Sequence, residues 1–444
     1  MSDFSHSAAS LRQLASDVLD IARELGASDC QTDVSEAWGL SVSVRCGEVE
    51  TIEHNRDKGL GVTVYLGQRR GHASSSDFSP AAVRRTVEAA LSIARQTAED
   101  EAAGLAEPER LFHGERDLDL YHPWSLSVDE AIELARRCEA AAFAVDARIK
   151  NSEGASVSIL HAQFVAANSA GFIGGYPTTR HSLSCVPLAI DGEDMQRDDW
   201  YDSKRAAADL LTPEEIGERA ARRALARLGA RKLKTRQCPV LFEAPLAISL
   251  LGNFVHAASG GALYRKASFL VGRLGEQIFP SFVDIHEDPF IPRGLASSPF
   301  DDDGVATSAR DVVRAGVLQG WFLSSYTARK LGLSTTGNAG GSHNLSIAPG
   351  TDDLPALIAR MERGLLVTEL LGQGVNYVTG DYSRGAAGFW VEKGTIAYPV
   401  HEVTIAGNLL DMFRGIVAVG NDVLVRGGKR TGSILVDRMT VAGH

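Results

Sequence analysis

Gly380-Asp381-Tyr382-Ser383-Arg384-Gly385-Ala386-Ala387-Gly388-Phe389-Trp390-Val391-Glu392-Lys393-Gly394, closed by Tyr398-Pro399, is the stretch on which the reading of this chain turns. Composition does not account for it. A glycine-spaced run carrying an Asp, a Ser and an Arg leads straight into a hairpin. Phe389 and Val391 enter, Glu392-Lys393-Gly394-Thr395 turns, and Ile396, Tyr398 and Val400 return. The run before the hairpin reads as a loop in which Asp381 and Ser383 bond their own backbone and Asp381 pairs with Arg384. A guanidinium in such a loop also holds a carboxylate bidentately, that of a peptide C-terminus or of a partner's acidic side chain. Ser383 has no histidine near it in sequence to act as a base, which argues against a nucleophile.

Around this stretch, residues 237–444 read as a β-rich domain with curved sheets and a few helices. Cys238-Pro239-Val240-Leu241-Phe242 is strand-like, and 244–258 is an apolar, Ala/Leu-rich buried helix. Glycine is dense from about residue 290, and Val312 to Tyr326 forms a hairpin turning near Arg314-Ala315-Gly316.

Residues 1–232 show one pattern twice, over about 1–110 and 120–230. A helix over 8–25 carries Leu11, Leu14, Val18, Ile21 and Leu25 on one stripe, with Gly26 at its C-terminal cap. Alternating strands follow at 40–46 and 60–66, then a helix opened by Ser79-Pro80. The second copy opens with a capping box at Ser127 and Glu130, continues through strands within 149–208, and ends in a helix opened by Thr212-Pro213, with Glu215 completing another box. The fold class is therefore α+β: a duplicated helix–strands–helix unit, then a mostly β domain. The basic stretch Arg231-Lys232-Leu233-Lys234-Thr235-Arg236 reads as a solvated linker between them.

Composition narrows the function. The 444 residues carry 45 Lys and Arg against 56 Asp and Glu, a net charge of −11. That acidity argues against sequence-independent nucleic-acid binding. Five scattered cysteines without a C-x-x-C pair read as reduced thiols, not a disulfide framework or a structural zinc site. No leader-like N-terminus and no membrane-spanning apolar run are present, so a cytoplasmic protein with no membrane partner is expected.

No phosphate loop, dinucleotide fingerprint or nucleophile elbow is found. His401-Glu402 opens a zinc-binding His-Glu-x-x-His pattern, but Ile405 ends it. His256 reads as a core or interface histidine, and His286-Glu287-Asp288 as a polar loop. His343, inside Gly340-Gly341-Ser342-His343-Asn344, sits in a glycine-bracketed loop suited to a role near a cleft.

Several ordered blocks carry a wider likeness. Beside the stretch at 380 they are Gly260-Gly261-Ala262-Leu263-Tyr264-Arg265-Lys266, Gly294-Leu295-Ala296-Ser297-Ser298-Pro299-Phe300-Asp301, Ser325-Tyr326-Thr327-Ala328-Arg329-Lys330-Leu331-Gly332-Leu333, Thr336-Gly337-Asn338-Ala339-Gly340-Gly341 and Ile405-Ala406-Gly407-Asn408-Leu409. Through them the chain resembles the TldD/PmbA family of two-subunit metallopeptidases, and its PmbA (TldE) branch in particular. In the TldD branch a His-Glu-x-x-x-His helix precedes the Arg-Lys pair. Counted back from Arg265-Lys266, those positions here are Gly252, Asn253 and Ala257, and a further cysteine ligand falls at Thr431. None supplies an imidazole or carboxylate. The resemblance therefore implies a subunit with no metal of its own and no catalytic residue at those positions. It implies a heterodimer with a TldD-type partner that carries zinc, and unfolded or small peptides as substrates. It places Asp381, Ser383, Arg384, His343 and Asn338 as candidates for the cleft or the subunit contact. The family's association with DNA gyrase is not supported here as direct nucleic-acid contact. The alternatives are an independent metal-dependent hydrolase, using for example His286, Glu287 and His343, and a nonenzymatic regulatory protein.

Overall fold

The computed structural model describes residues 4–443. Helix α1 (Ala8–Glu24) starts where the Ser7 hydroxyl accepts the Ser10 N–H, and it stops at Gly26, whose φ of +87° suits glycine. Then come β1 (Asp29–Arg45), β2 (Glu48–Leu66), β3 (Arg69–Ser75) and α2 (Pro80–Gln96). A second series follows: α3 (Val128–Ala144), β4 (Ile149–Asn168), β5 (Ile173–Gly174), β6 (Pro177–Asp191), β7 (Asp194–Arg197), β8 (Trp200–Lys204) and α4 (Pro213–Ala226). The boxes Ser127–Glu130 and Thr212–Glu215 are both formed, each joining a hydroxyl and a carboxylate to the opposite backbone N–H. Ser79 precedes Pro80 at the start of α2 but makes no side-chain cap.

All these strands share one sheet of order β3-β2-β1-β4-β6-β7, with β5 on β4 and β8 on β6. The two series meet where β1 and β4 run antiparallel, from Gln31 opposite Asn168 to Val44 opposite Ala155. Cys30, Val34, Leu40, Val42 and Val44 of β1 alternate along the strand, so they share one face. The first two pack with α1 and α2, the others with α3 and α4. Four helices thus cover one face of the sheet.

The C-terminal region opens with β9 (Arg236–Phe242), α5 (Ala244–Ala257) and α6 (Gly260–Tyr264). Next are β10 (Ile285–Asp288), β11 (Arg310–Arg314), β12 (Val317–Leu318), α7 (Ser325–Leu331), β13 (Asn344–Ile347) and α8 (Leu354–Met361). The chain ends with β14 (Gly364–Leu371), β15 (Val375–Asn376), β16 (Asp381–Glu392), β17 (Thr395–Asn408), α9 (Leu409–Arg414), β18 (Ile416–Val419), β19 (Leu424–Arg426), β20 (Lys429–Thr431) and β21 (Ile434–Ala442). One sheet runs β12-β11-β10-β13-β20-β19. The other runs β14-β9-β21-β17-β16-β15, and β14 also pairs with β16. Five strands therefore close into a ring, which removes free edges from most of this sheet. One face of the ring packs against α5, through Phe242, Trp390 and Phe254 among others. The opposite face carries Leu241, Leu366 and Val391 under α8.

The hairpin of the opening stretch is present, turning on Lys393 and Gly394 with φ of +51° and +70°, the left-handed pair that a two-residue turn demands. Its first strand reaches back to Asp381, however. The glycine-spaced run is β-strand and not a loop. Gly388 shows why: a Cβ there would collide with the Leu366 carbonyl oxygen across the β14–β16 seam. Glycine in this strand lets two backbones close the ring, with bulges beside Ala386 and Val367. Tyr326, expected in the hairpin after Val312, lies in α7, and β12 holds only two residues.

The 231–236 stretch is not a free linker. Leu233 is buried, the Arg231 guanidinium lies over Tyr398, Lys232 pairs with Glu402 at 2.8 Å, and Arg236 covers Trp390. The two regions are tied at several points. Arg223 of α4 pairs with Asp198 at 3.2 Å and with Glu243 at 2.7 Å, and Arg227 pairs with Glu369. No helix among the described residues is long and apolar enough to cross a membrane.

Candidate functional site

The sequence-predicted residues fall into two separate clusters of the C-terminal region. The first is centred on Glu287 in β10, which is 1% exposed. Its Oε1 accepts the Asn338 Nδ2–H and the His343 backbone N–H, both at 2.8 Å, and its Oε2 accepts the Arg310 Nε–H at 2.8 Å. Asn338 Oδ1 accepts from Arg310 Nη2 at 3.0 Å and from the Thr336 hydroxyl at 2.7 Å. The buried His343 ring bonds the Gly337 carbonyl through Nε2 at 2.9 Å, so that nitrogen carries a proton. His343 and Asn338 are thus brought together, but as the polar skeleton of their own loop. His286-Glu287-Asp288 is strand and not loop. Because neighbouring strand residues face opposite ways, His286 is on the exposed side, 2.8 Å from Asp311, and does not meet Glu287 and His343.

Just beyond this network, burial and the neighbouring Asp303 push Asp301 up to about 7. Three backbone N–H groups, of Asp303, Val305 and Ala339, bond its carboxylate and oppose that rise.

The second cluster joins α5 to β16. Gly252, Asn253 and Ala257 lie on α5, where Asn253 is 8% exposed and Ala257 is fully buried. Tyr377, from the segment between β15 and β16, donates its hydroxyl to Asn253 Oδ1 at 2.9 Å. The exposed His256 is not a core residue; its ring lies on Tyr377 with centroids 3.8 Å apart. Tyr382 and Arg384, two apart in β16, point to the same side. The Arg384 charge acts on both Tyr377 and Tyr382, and the guanidinium is within reach of the Tyr382 hydroxyl. Burial drives the Tyr382 phenol up to about 12, and the guanidinium opposes that rise. Three polar atoms in this cluster are buried without a well-formed hydrogen bond: Asn253 Nδ2, Arg384 Nε, and Tyr382 OH, which has only the Arg384 guanidinium beside it. A Cβ placed on Gly252 would meet no atom within 4 Å, so space is open over this residue, the neighbour of Asn253 in α5.

Asp381 and Ser383 face the other way and are exposed. Asp381 accepts the Thr379 hydroxyl at 2.6 Å, and the expected Asp381–Arg384 ion pair is not formed. Thr431 is fully buried in β20, bonds the Gly432 carbonyl at 2.9 Å, and belongs to a strand packed against α5. Tyr377 and Tyr382 were not singled out from sequence, and Glu287 entered only as a polar-loop residue and as a ligand in the hydrolase alternative. Period-2 alternation with Arg384 was the signal available for Tyr382. Nothing local marks Tyr377, whose partner is 124 residues away.

Sequence profiles of the PmbA/TldA metallopeptidases match in three parts: domain 1 over 33–94, the central domain over 121–228 and the C-terminal domain over 235–443. The metalloprotease PmbA of Escherichia coli O157:H7 is 51% identical over 98% of this chain and 97% of its own. The chain belongs to the PmbA/TldD family. A crystal structure from Bacteroides thetaiotaomicron, named for a proposed modulation of DNA gyrase, superimposes with a TM-score of 0.92 at 29% identity, covering 98% of this chain and 99% of that one. TldE from Thermococcus kodakarensis shares the fold at a TM-score of 0.85 and 21% identity, covering 97% and 100%. The α+β architecture with a β-rich C-terminal half is thus the architecture of PmbA/TldD structures.

Proposed function

We infer that this chain is the PmbA/TldE-type subunit of a cytoplasmic heterodimeric peptidase, acting on unfolded peptides beside a TldD-type subunit that holds the zinc. The supporting observation is α5. Where the family resemblance calls for two imidazoles and a carboxylate, the helix carries Gly252, Asn253 and Ala257. Asn253 in particular stands at the carboxylate position, and its one acceptor oxygen already takes the Tyr377 hydroxyl. These side chains do not fit a metal ion, which needs converging deprotonated donors. Among the described residues no three His, Cys, Asp or Glu side chains are grouped to hold one.

The hydrolase alternative finds no support in Glu287, because both its oxygens are taken up by Asn338, His343 and Arg310. On the leading reading this subunit encloses the cleft, orients extended substrate and excludes folded protein. The ring-closed sheet leaves little edge for strand addition, and in this region the open edges lie at β15, β12 and β19.

The test mixes the purified chain with a TldD-type subunit and an unstructured peptide. Cleavage is expected only from the mixture, together with a 1:1 complex on sizing. Cleavage by this chain alone with stoichiometric zinc would overturn the assignment.

A further inference from the structure

Asn253 Nδ2, Tyr382 OH and Arg384 Nε are buried without a well-formed hydrogen bond, and Tyr377 links them: its hydroxyl bonds Asn253, while the Arg384 charge acts on both tyrosines. Asn253 and Tyr382 are 8% and 1% exposed, so water does not readily serve them. The cluster is built of donors. Tyr377 occupies the one amide oxygen, which turns the Asn253 NH2 away from that bond. Arg384 Nε is unpartnered and the nearby Asp381 is bonded to Thr379 instead, although acidic side chains outnumber basic ones in this chain. The space over Gly252, next to Asn253 in α5, is open, and the exposed His256 ring lies against Tyr377. A site with one fixed positive charge and several donors selects an anion made only of acceptors, and the planar guanidinium fork matches a carboxylate.

We propose that Asn253, Tyr377, Tyr382 and Arg384 form a carboxylate-binding site that takes the free C-terminus of an unstructured peptide. Arg384 supplies the charge, Asn253 and Tyr382 supply hydrogen bonds, and Tyr377 positions the Asn253 amide. The site occupies the place where the resemblance puts the metal of the sister branch: the ion-binding position becomes an anchor for the substrate's end. The choice of a peptide as the ligand rests on the peptidase reading above.

The experiment uses the isolated full chain and fluorescence anisotropy. The probe is an N-terminally labelled ten-residue Gly/Ser/Ala peptide, compared with its C-terminal amide and with an amide carrying one Glu. The free acid is expected to bind at least tenfold more tightly than the plain amide. Arg384→Gln is expected to erase that ratio, and Arg384→Lys to leave part of it. Tyr377→Phe, at a half-buried position, is expected to reduce it severalfold with an unchanged melting temperature. Equal affinity for acid and amide overturns the site. Full recovery by the Glu-bearing amide overturns its assignment to the chain terminus. Neither zinc nor a second subunit is present, so a null result here leaves the heterodimer assay standing, and failure of that assay leaves the acid-to-amide ratio readable.

Discussion

Two buried polar clusters lie in the same C-terminal region and differ in one respect. Around Glu287 every polar atom of the carboxylate is paired, with Arg310, Asn338 and the His343 backbone closing the set. Around Asn253, donors outnumber acceptors and three atoms are left over. A satisfied network of this kind rigidifies a fold. An unsatisfied one costs about 1–3 kcal/mol per orphaned group and calls for another explanation. The difference separates scaffold from candidate site more sharply than residue type does, since His343 and Arg384 were both candidates from sequence.

The largest test of that contrast removes the acceptor on the scaffold side. Glu287→Ala leaves Arg310 buried without its partner, and Asn338 and the His343 N–H without an acceptor. A loss of about 3–5 kcal/mol in unfolding free energy is expected by chemical denaturation. A loss below about 1 kcal/mol would show that the network is not structural. Peptide affinity in the variants that fold should be unchanged.

A smaller effect concerns pH. Asp301 is raised from the ordinary carboxylate range to about 7 by burial and by Asp303. The folded state therefore holds this proton more tightly than the unfolded chain does. The stability it contributes is full below about pH 4 and is lost as pH rises through 7. Asp146, lowered to about 2 by Arg148, works in the opposite sense: its contribution is present above the ordinary range and lost as pH falls toward 2. The windows do not overlap. Between pH 4 and 7, Asp301→Asn is expected to flatten the decline of melting temperature with rising pH. An identical slope in variant and parent would mean that the three backbone N–H groups hold the carboxylate ionised.

What the sequence revealed follows the range of the forces involved. The capping boxes at Ser127 and Thr212, the stop at Gly26 and the Lys393-Gly394 turn depend on neighbours within a few residues, and all were legible. The strand from Asp381 to Gly388 was hidden because its glycines look like loop residues. Their cause is contact with β14, visible only once the ring is closed. The fate of Arg384 was misread for the same reason. In a loop it would reach Asp381, whereas in a strand the two face opposite ways. The Asn253–Tyr377 bond, like the Glu287 network, joins distant segments and has no periodic signature.

The finest discrimination between the clusters comes from one oxygen. Tyr382→Phe deletes a buried hydroxyl that has the Arg384 guanidinium beside it but no well-formed hydrogen bond, and leaves the ring packed in the core of the β-rich region. If that hydroxyl awaits a ligand, the unliganded protein gains by losing it. Unfolding free energy should stay level or rise by about 1 kcal/mol, because the cost of desolvating an unmatched group disappears. Affinity for the free-acid peptide should fall at the same time, since one donor is gone. A purely structural tyrosine predicts the opposite on the first count: stability drops with the hydroxyl. Denaturation and anisotropy on this one variant therefore separate the two accounts, and a fall in stability with unchanged affinity would place Tyr382 beside Glu287 as scaffold.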